Sequence, residues 1–144
     1  MSKLLLKRLD SRALRPFRSF PDDAGLDLYV IKDVDIGPGQ FIDLPTGWAI
    51  KIADGYWGAV KARSSTFFRR GLFVHEGTID PGYTGRLSIL VHNPSNIVKQ
   101  LSTGDRIAQL VIMPLIIHSI EVVEELPHTM RGVEGFGSTG LGRV

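Results

Sequence analysis

The sequence predicts an all-β domain, either a barrel or a sandwich, and three observations support this fold class. Its apolar runs are short, and each is closed by glycine, proline, asparagine or aspartate. The runs follow one another at close intervals, which is typical of antiparallel strands rather than of alternating strands and helices. No long stretch shows the helical periodicity that a core helix needs.

The first clear strand pattern begins after a polar N-terminal region. Leu26, Leu28 and Val30 alternate with their neighbours, as expected for a strand with one buried face. A turn signal, Gly37-Pro38-Gly39, follows. The next signal, Pro45-Thr46-Gly47, separates two apolar runs and therefore predicts a hairpin with strands 41–44 and 48–52. Further strands are predicted at 56–62, 72–74, 87–91, 97–101, 106–113 and 116–123.

One very short helix is predicted over residues 65–70. A serine at its start can cap the free N–H groups, and Gly71 can end it. A helix of one or two turns is too short to form a core. We therefore expect it to connect two strands.

Composition supports a single compact domain. The chain has 144 residues, of which 43% are hydrophobic, and no cysteine. The absence of cysteine excludes disulfides, thiol nucleophiles and thiolate metal sites. The first ten residues contain three consecutive apolar residues, whereas a secretory signal needs about 7 to 15. We therefore expect a cytoplasmic location.

Neither a membrane nor a nucleic acid is an expected partner. The longest apolar stretch, 107–117, contains Gln109 and is interrupted by Pro114, whereas a spanning helix needs roughly 20 apolar residues. It is predicted to be a core strand. The net charge is only +2, and the basic residues are scattered along the chain, so no nucleic-acid-binding surface is predicted.

The apolar periodicity stops after Pro127, which divides the chain into a β domain, 1–127, and a C-terminal tail, 128–144. The tail is rich in glycine and has one aromatic residue, Phe136. It cannot dock by hydrophobic burial, so we expect it to be mobile on its own. Its backbone N–H groups, hydroxyls and arginine suit phosphate oxygens, and its aromatic ring suits a base. These properties predict a flexible lid over a nucleotide.

Two familiar motifs in the tail are false matches. Residues 135–140 satisfy G-x-G-x-x-G, but the four residues that follow cannot supply the helix that this fingerprint requires. Residues 132–137 have the glycine spacing of a Walker A loop, but Ser138 occupies the position of its lysine.

Five motifs occur in order along the chain. They are AGLDL at 24–28, ARSS at 62–65, GTIDPGYTGR at 77–86, GDRIAQL at 104–110 and RGVEGFGSTG at 131–140. Together they resemble the homotrimeric deoxyuridine triphosphatase (dUTPase, or dUTP pyrophosphatase) family over residues 24–140. The resemblance implies a jelly-roll-like, distorted β-barrel of the β-clip type. It also implies three active sites at subunit interfaces and Mg²⁺-dependent hydrolysis of dUTP to dUMP and pyrophosphate.

The third motif carries the implied nucleoside site and the catalytic base. By resemblance, Asp80 deprotonates the water that attacks the α-phosphorus, as an ionised carboxylate can. Tyr83 would pack under the deoxyribose and leave no room for a 2′-hydroxyl. Backbone groups of the same hairpin, including Gly77 and Ile79, would read the uracil. Taken alone, the Asp80-Pro81-Gly82 sequence predicts a turn, which is compatible with this role.

The resemblance assigns the phosphates to other motifs. Arg63, Ser64 and Ser65 would bind phosphate, and the hydroxyl of Ser64 would donate to the α,β-bridging oxygen, where leaving-group charge develops. Gln109 would contact phosphate from the adjacent strand, and a glutamine in an apolar strand does need a partner. Asp27 would reach Mg²⁺ through bound water, because the phosphates hold the metal. We therefore predict no direct protein ligand to the metal.

In the tail, the resemblance places Arg131 on the γ-phosphate and Phe136 over the uracil. Gly137, Ser138 and Thr139 would close around the phosphate chain. Glu134 stands where relatives usually have glycine, and we expect it to face solvent because a carboxylate repels a triphosphate.

Phe67 and Phe68 also depart from the smaller residues that usually follow the serines. Two adjacent exposed phenylalanines favour association, so we expect them at a subunit interface.

Two alternatives remain. A dCTP deaminase shares the RSS and IDPG elements, but the position of its water-activating glutamate falls on Leu90, and that family lacks the glycine-rich tail. The second alternative is a nucleotide-responsive regulator, in which the tail switches the binding of a protein partner. The retained Asp80 favours catalysis, and a regulatory partner stays open as an additional role.

Overall fold

The computed structural model describes residues 2–135 and Gly140, and in this part of the chain it has ten strands and one helix. The elements are β1 (Leu5–Arg8), β2 (Gly25–Tyr29), β3 (Val34–Ile36), β4 (Phe41–Lys51), β5 (Tyr56–Ala62), α1 (Ser64–Arg70), β6 (Phe73–Val74), β7 (Gly77–Ile79), β8 (Arg86–His92), β9 (Lys99–Leu101) and β10 (Arg106–Pro114). The predicted all-β fold class is confirmed. No helix in the described part is long and apolar enough to cross a membrane.

The strands form two four-stranded antiparallel sheets and one two-stranded sheet. The strand orders are β1-β4-β8-β6, β2-β10-β5-β7 and β3-β9. In β8, Leu87, Ile89 and Val91 are buried, while the residues between them are more exposed. This alternation directs one face of each sheet into a common apolar core. Burial of a leucine or isoleucine there contributes about 1.5 to 3 kcal/mol.

The hairpin predicted around residues 45–47 is wrong, because β4 is a single strand of 11 residues. Its register with β8 shifts between Pro45 and Trp48, so two residues bulge out of the ladder. Thr46 donates its hydroxyl to the Leu87 carbonyl at 2.6 Å, and Gly47 has a φ of 80°. Proline, threonine and glycine suit a bulge as well as a turn, and the sequence does not distinguish the two.

The strand predicted at 116–123 is also wrong for the described chain. After β10 the backbone is irregular, and Ile116, Ile120 and Val122 are 74%, 94% and 94% exposed. An apolar sequence can favour a strand, but a strand also needs a hydrogen-bonding neighbour. No described residue supplies one here. We call residues 116–126 the apolar arm. Conversely, the sequence patterns did not predict the short strands β1, β3 and β7.

Helix α1 begins one residue before its predicted start and ends as predicted. Gly71 adopts a left-handed conformation with a φ of 63° and donates its N–H to the Phe67 carbonyl. The expected serine cap is wrong: Arg63 is the N-cap, and its side chain makes no capping hydrogen bond. Ser64 is therefore the first helical residue. Arg70 fastens the other end through hydrogen bonds of 2.9 and 2.8 Å to the carboxylate of Asp105.

The long connection between β1 and β2 is held against both large sheets. The indole N–H of Trp48 donates to the Leu14 carbonyl at 2.9 Å. Phe17 and Asp27 exchange backbone hydrogen bonds of 3.3 and 2.7 Å. Asp27 therefore has a β10 neighbour on one side and the connection on the other.

Candidate active site

Most of the predicted site residues that the structure describes lie in two separate depressions, and Ser65 and Arg131 line neither. The first, of about 210 Å³, is lined by Ser19, Asp23, Ala24, Gly25, Asp27, Arg63, Ser64 and Gln109, and we call it the arginine half-site. The second, of about 350 Å³, is lined by Val60, Gly77, Thr78, Ile79, Asp80, Tyr83, Arg86, Leu87 and Ser88, and we call it the hairpin half-site. The two share no lining residue. The fold therefore groups the predicted residues into two sets.

A buried carboxylate organises the arginine half-site. Asp27 is 7% exposed, and its two oxygens pair with different arginines. Nε of Arg63 lies 2.8 Å from Oδ1, and Nη1 of Arg106 donates to Oδ2 at 3.0 Å. These ion pairs, of which the second is also a hydrogen bond, tie β2, the N-cap of α1 and β10 together. They also neutralise charges that would be costly to bury alone.

Arg63 keeps donors available after it has paired with Asp27. Its Nη1 donates to the Arg106 carbonyl at 3.2 Å. A guanidinium has five N–H donors, so these two contacts leave several for another acceptor. Ser64 is exposed beside it, and the first backbone N–H groups of a helix have no partner within the helix. This grouping of donors suits an anionic ligand.

Gln109 lies across the same depression from the middle of β10. Its Nε2 donates to the Ala62 carbonyl at 3.0 Å. This backbone group is one hydrogen-bond partner of the kind that a glutamine in an apolar strand was predicted to need. Its side chain packs on Gly25, where a Cβ atom would overlap Oε1 of Gln109. The glycine of the AGLDL motif is thus needed for close approach, and it leaves room for the amide.

The hairpin half-site is built around a tight turn. Asp80 follows β7, and its carbonyl accepts from the Tyr83 N–H at 3.1 Å, which confirms the turn predicted from the sequence. Gly77 and Ile79 pair with Val60 and Gly58 of β5, so the strand before the turn has a fixed register. Asp80 itself is exposed. In the described residues no cation lies within ion-pair distance of its carboxylate.

The ring of Tyr83 has a fixed position against the turn. Its hydroxyl donates to the Arg86 carbonyl at 2.9 Å. The ring covers Gly85, where a Cβ atom would overlap the hydroxyl oxygen. Tyr83 is nevertheless 43% exposed, so one face of the ring is available to a ligand. Gly85 is required for this arrangement because any larger residue would displace the ring.

Two residues at these half-sites had no predicted role. Arg106 belongs to the GDRIAQL motif, yet spacing alone does not show that it pairs with Asp27, 79 positions earlier in the chain. Lys51 ends β4, and its Nζ donates to the Pro81 carbonyl at 2.6 Å, inside the turn after Asp80. An isolated lysine at a strand end gives no signal in the sequence for such a contact.

The structure describes only some of the predicted tail residues. Arg131 is exposed, lines neither half-site, and donates from Nε to the Glu134 carbonyl at 3.1 Å. Glu134 is exposed, as expected. The other predicted lid residues, Phe136, Gly137, Ser138 and Thr139, lie outside the described residues.

The donor set fits a hydrated magnesium ion better than a directly bound one. Within residues 2–135 and Gly140, no group of three or more acidic, histidine or cysteine side chains could hold a metal. Oδ2 of Asp27 accepts one N–H from Arg106 and Oδ1 is paired with Arg63, and a carboxylate oxygen can also accept a hydrogen bond from water. Mg²⁺ keeps several of its waters when phosphates bind it. Asp27 is therefore suited to hold such a water.

Comparison with known proteins identifies relatives along nearly the whole chain. The sequence model of the dUTPase family matches residues 12–140. A deoxyuridine 5′-triphosphate nucleotidohydrolase of Nautilia profundicola is 42% identical over 140 residues, which cover 96% of this chain and 99% of that protein. One from Paramecium bursaria Chlorella virus 1 is 36% identical over 141 residues and covers 98% and 100% of the two chains.

Solved structures agree with this similarity. The Staphylococcus bacteriophage 80alpha dUTPase with dUPNHPP superposes with a TM-score of 0.89 at 30% identity, covering 96% of this chain and 99% of the other. Its description states that phage dUTPases control the transfer of virulence genes by a G protein-like mechanism. A point mutant of the phage phi11 enzyme, described with a structural Mg(II) ion, has a TM-score of 0.78 at 28% identity over 85% and 97% of the chains. The predicted jelly-roll-like fold is thereby confirmed.

Proposed function

Because this chain belongs to the dUTPase family and is a dUTP diphosphatase, we propose that it hydrolyses dUTP by in-line attack of water on the α-phosphorus. The oxygen of water bonds to phosphorus, the bond to the α,β-bridging oxygen breaks, and dUMP and pyrophosphate leave. The observation that carries this mechanism is the pair of half-sites. One presents an exposed carboxylate on a turn, and the other presents arginine, serine and amide donors.

We assign the nucleoside to the hairpin half-site. The uracil lies against the backbone of β7, where Gly77 and Ile79 offer peptide groups in fixed register. The deoxyribose lies on the exposed face of Tyr83. Because the hydroxyl bond to Arg86 prevents the ring from withdrawing, a ribose 2′-hydroxyl would collide with it. The same contact would favour dUTP over UTP.

Asp80 is the proposed general base. It accepts one proton from the attacking water. Its carboxylate forms no ion pair with a cation of the described residues, so its oxygens are available to the water. A base must lie within hydrogen-bond reach of the water in the substrate complex. Asp80 shares its turn with Tyr83, and this supports a base close to the sugar end of the α-phosphate.

The arginine half-site is proposed to bind the triphosphate. Arg63 and Gln109 donate to phosphate oxygens with the N–H groups that their protein contacts leave free. Ser64 donates its hydroxyl to the α,β-bridging oxygen and so stabilises the leaving group. When bound to the phosphates, Mg²⁺ supplies electrostatic stabilisation of developing charge. Asp27 would hold one of its waters.

We further propose that the enzyme is a homotrimer in which each site joins half-sites from different copies. The half-sites are separate in one chain, and each lacks the chemistry of the other. The apolar arm exposes several large apolar side chains, and neighbouring apolar side chains of this kind are typical of a surface that is buried against a partner. Phe67 and Phe68 are 56% and 89% exposed on α1 and are proposed to lie at a subunit interface.

Residues 128–144 are proposed to form the lid over this composite site. Arg131 would bind the γ-phosphate, and Phe136 would stack on the uracil. Gly137, Ser138 and Thr139 would close around the phosphates. Closure excludes bulk water from the site and completes its set of donors. The reaction is proposed to occur in the cytoplasm, as expected for a chain without cysteine.

The direct test of the reaction is pyrophosphate release from dUTP, measured beside dCTP, dTTP and UTP. We expect Mg²⁺-dependent turnover of dUTP, with kcat/KM for the other three at least about 100-fold lower, the scale on which a pocket distinguishes substrates that differ by one small group. An ammonia assay with dCTP tests the deaminase alternative. Ammonia release without pyrophosphate would overturn the proposal.

The composite site can be tested by mixing two inactive variants. Asp80→Asn damages the hairpin half-site, and Ser64→Ala damages the arginine half-site. Each change should reduce kcat by about 10² or more. If sites join different copies, co-refolding the two variants creates sites with two intact halves and restores activity. A mixture no more active than the two variants measured separately would place each site within one copy.

A regulatory role is a second candidate, favoured by the similarity to the 80alpha phage dUTPase over 96% of this chain. In this proposal, nucleotide binding switches the affinity for a protein partner. The test is a pull-down with this chain as bait, with and without a non-hydrolysable dUTP analogue. A partner that binds in only one of the two states supports the role, and equal capture in both states argues against it.

A further inference from the structure

Lys51 makes an unusual set of contacts for a lysine at the end of a strand. Its Nζ donates to three oxygens, which use all the N–H groups of an ammonium. They are the Ile52 carbonyl at 3.1 Å, the Asp54 carboxylate at 3.0 Å and the Pro81 carbonyl at 2.6 Å. The bond to Pro81 is the shortest and the only one of the three that leaves the β4–β5 connection. It joins two segments that are 30 residues apart.

The Pro81 carbonyl lies inside the turn that presents Asp80. The backbone bond from Tyr83 to Asp80 closes the turn but does not fix the peptide between its two central residues. Rotation of that peptide is what distinguishes one turn type from another. The N–H of the same peptide belongs to Gly82, and it donates to no backbone carbonyl in the described part of the chain. The ammonium of Lys51 therefore selects the orientation of the central peptide.

We propose that Lys51 is a positioning residue for the hydrolysis of dUTP: by holding the Pro81 carbonyl, it fixes the turn so that Asp80 stays in place for the attacking water. The inference rests on the proposed role of Asp80 as general base. Lys51 does not line the hairpin half-site and acts only through the turn. A displacement of about 1 Å in a reacting group can reduce the rate by about 100-fold, so a small backbone rotation is sufficient.

The alternative is that Lys51 only stabilises the β4–β5 connection through Asp54. Asp54 is 93% exposed, and surface ion pairs of this kind contribute little to stability. Asp54→Ala removes this contact and leaves the Pro81 bond in place. It is therefore the matched control for Lys51→Met, which removes all three bonds but keeps an apolar side chain of similar length.

The experiment compares kcat and KM for dUTP in Lys51→Met, Lys51→Arg and Asp54→Ala. We expect Lys51→Met to lower kcat about 10- to 100-fold and to change KM by less than about threefold, because the phosphate contacts lie in the other half-site. Lys51→Arg should recover most of the rate because it keeps a donor. Asp54→Ala should behave like the wild type. A kcat for Lys51→Met within twofold of the wild type would overturn the proposal.

Two further measurements separate this proposal from the proposed function. In an Asp80→Asn background, Lys51→Met should cause no further loss, since both changes act on one group. Hydrogen exchange at the Tyr83 amide should be faster in Lys51→Met, and this readout needs no turnover. If Asp80→Asn is active, the general-base role fails, whereas unchanged exchange at Tyr83 overturns the role of Lys51. If Lys51→Met does not fold, Lys51→Leu, which also lacks a donor, replaces it with the same expectations.

Discussion

The two half-sites hold their functional side chains in different ways. In the arginine half-site, Asp27 is buried and is fixed by ion pairs with Arg63 and Arg106, so binding groups and fold share the same contacts. In the hairpin half-site, Asp80 is exposed, and its position depends on its turn, which the Tyr83 amide closes and Lys51 contacts. The contrast agrees with the proposed roles. The proposed phosphate-binding groups share their contacts with the fold, whereas the proposed general base has no ion-pair partner among the described residues.

Replacing the free carboxylate should have the largest effect on rate. Asp80→Asn keeps the shape of the side chain but removes the base, so we expect kcat to fall by about 10² to 10⁴. Thermal stability and binding of a non-hydrolysable dUTP analogue should change little because Asp80 is exposed. Steady-state kinetics, thermal melting and calorimetry measure the three quantities. Turnover near that of the wild type would contradict the mechanism.

The corresponding change in the arginine half-site should affect stability as well as binding. Asp27→Asn leaves two partly buried guanidiniums without a carboxylate, which should reduce the free energy of unfolding by about 1 to 3 kcal/mol and raise KM. Chemical denaturation at matched chain concentration measures the loss. Asp54→Asn, at an exposed ion pair, is the control and should cost less than about 1 kcal/mol. If the two variants lost the same free energy of unfolding, the ion pairs of Asp27 would stabilise the fold no more than an exposed pair does.

A substitution in the tail tests whether this third region contacts the nucleotide that the two half-sites bind. Phe136→Ala removes the proposed stacking on uracil and should weaken binding of the dUTP analogue by about 1 to 3 kcal/mol. The unfolding free energy should stay constant if the ring contacts only nucleotide. Calorimetric titration and denaturation give both values. Unchanged affinity would show that the lid does not contact the base.

The smallest expected effect concerns the sugar. Gly85→Ala places a methyl group against the Tyr83 ring, whereas Gly82→Ala adds one where no atom lies within 4 Å. The first change should displace the ring and reduce the preference for dUTP over UTP by roughly tenfold, at the low end of the 1 to 3 kcal/mol typical of overpacking. The ratio of kcat/KM for the two nucleotides measures it. If Gly82→Ala has the same effect, the displaced ring is not the cause.

Local pattern predicted the strands and the helix where neighbouring residues carry the signal. The predicted strand 56–62 coincides with β5, and the helix differs from α1 by one residue, because apolar alternation and a terminal glycine act over short distances. The bulge in β4 was predicted as a hairpin because the same three residues suit either structure. The predicted strand at 116–123 failed because no strand among the described residues pairs with it.

Motifs predicted Asp27, Arg63, Asp80 and Gln109 as site residues, and their roles stay predictions. The structure does bring Asp80 and Tyr83 into one turn. Arg106 and Lys51 were missed because their partners are 79 and 30 positions away, and no spacing rule connects them. The separation into two half-sites was likewise invisible, since it depends on which side of the barrel each motif occupies.

The position of β10 also determines when the molecule can fold. It is the last strand in the described chain, yet it lies between β2 and β5 in the middle of its sheet. Neither neighbour can complete its ladder until residues 106–114 have been synthesised, and contacts over such sequence separations slow folding to about milliseconds or seconds. Arg106, which pairs with Asp27, and Gln109 arrive with this strand. The nascent chain therefore closes its barrel and completes the arginine half-site in one late step. A ribosome-bound fragment ending before β10 should have neither a closed barrel nor a complete arginine half-site.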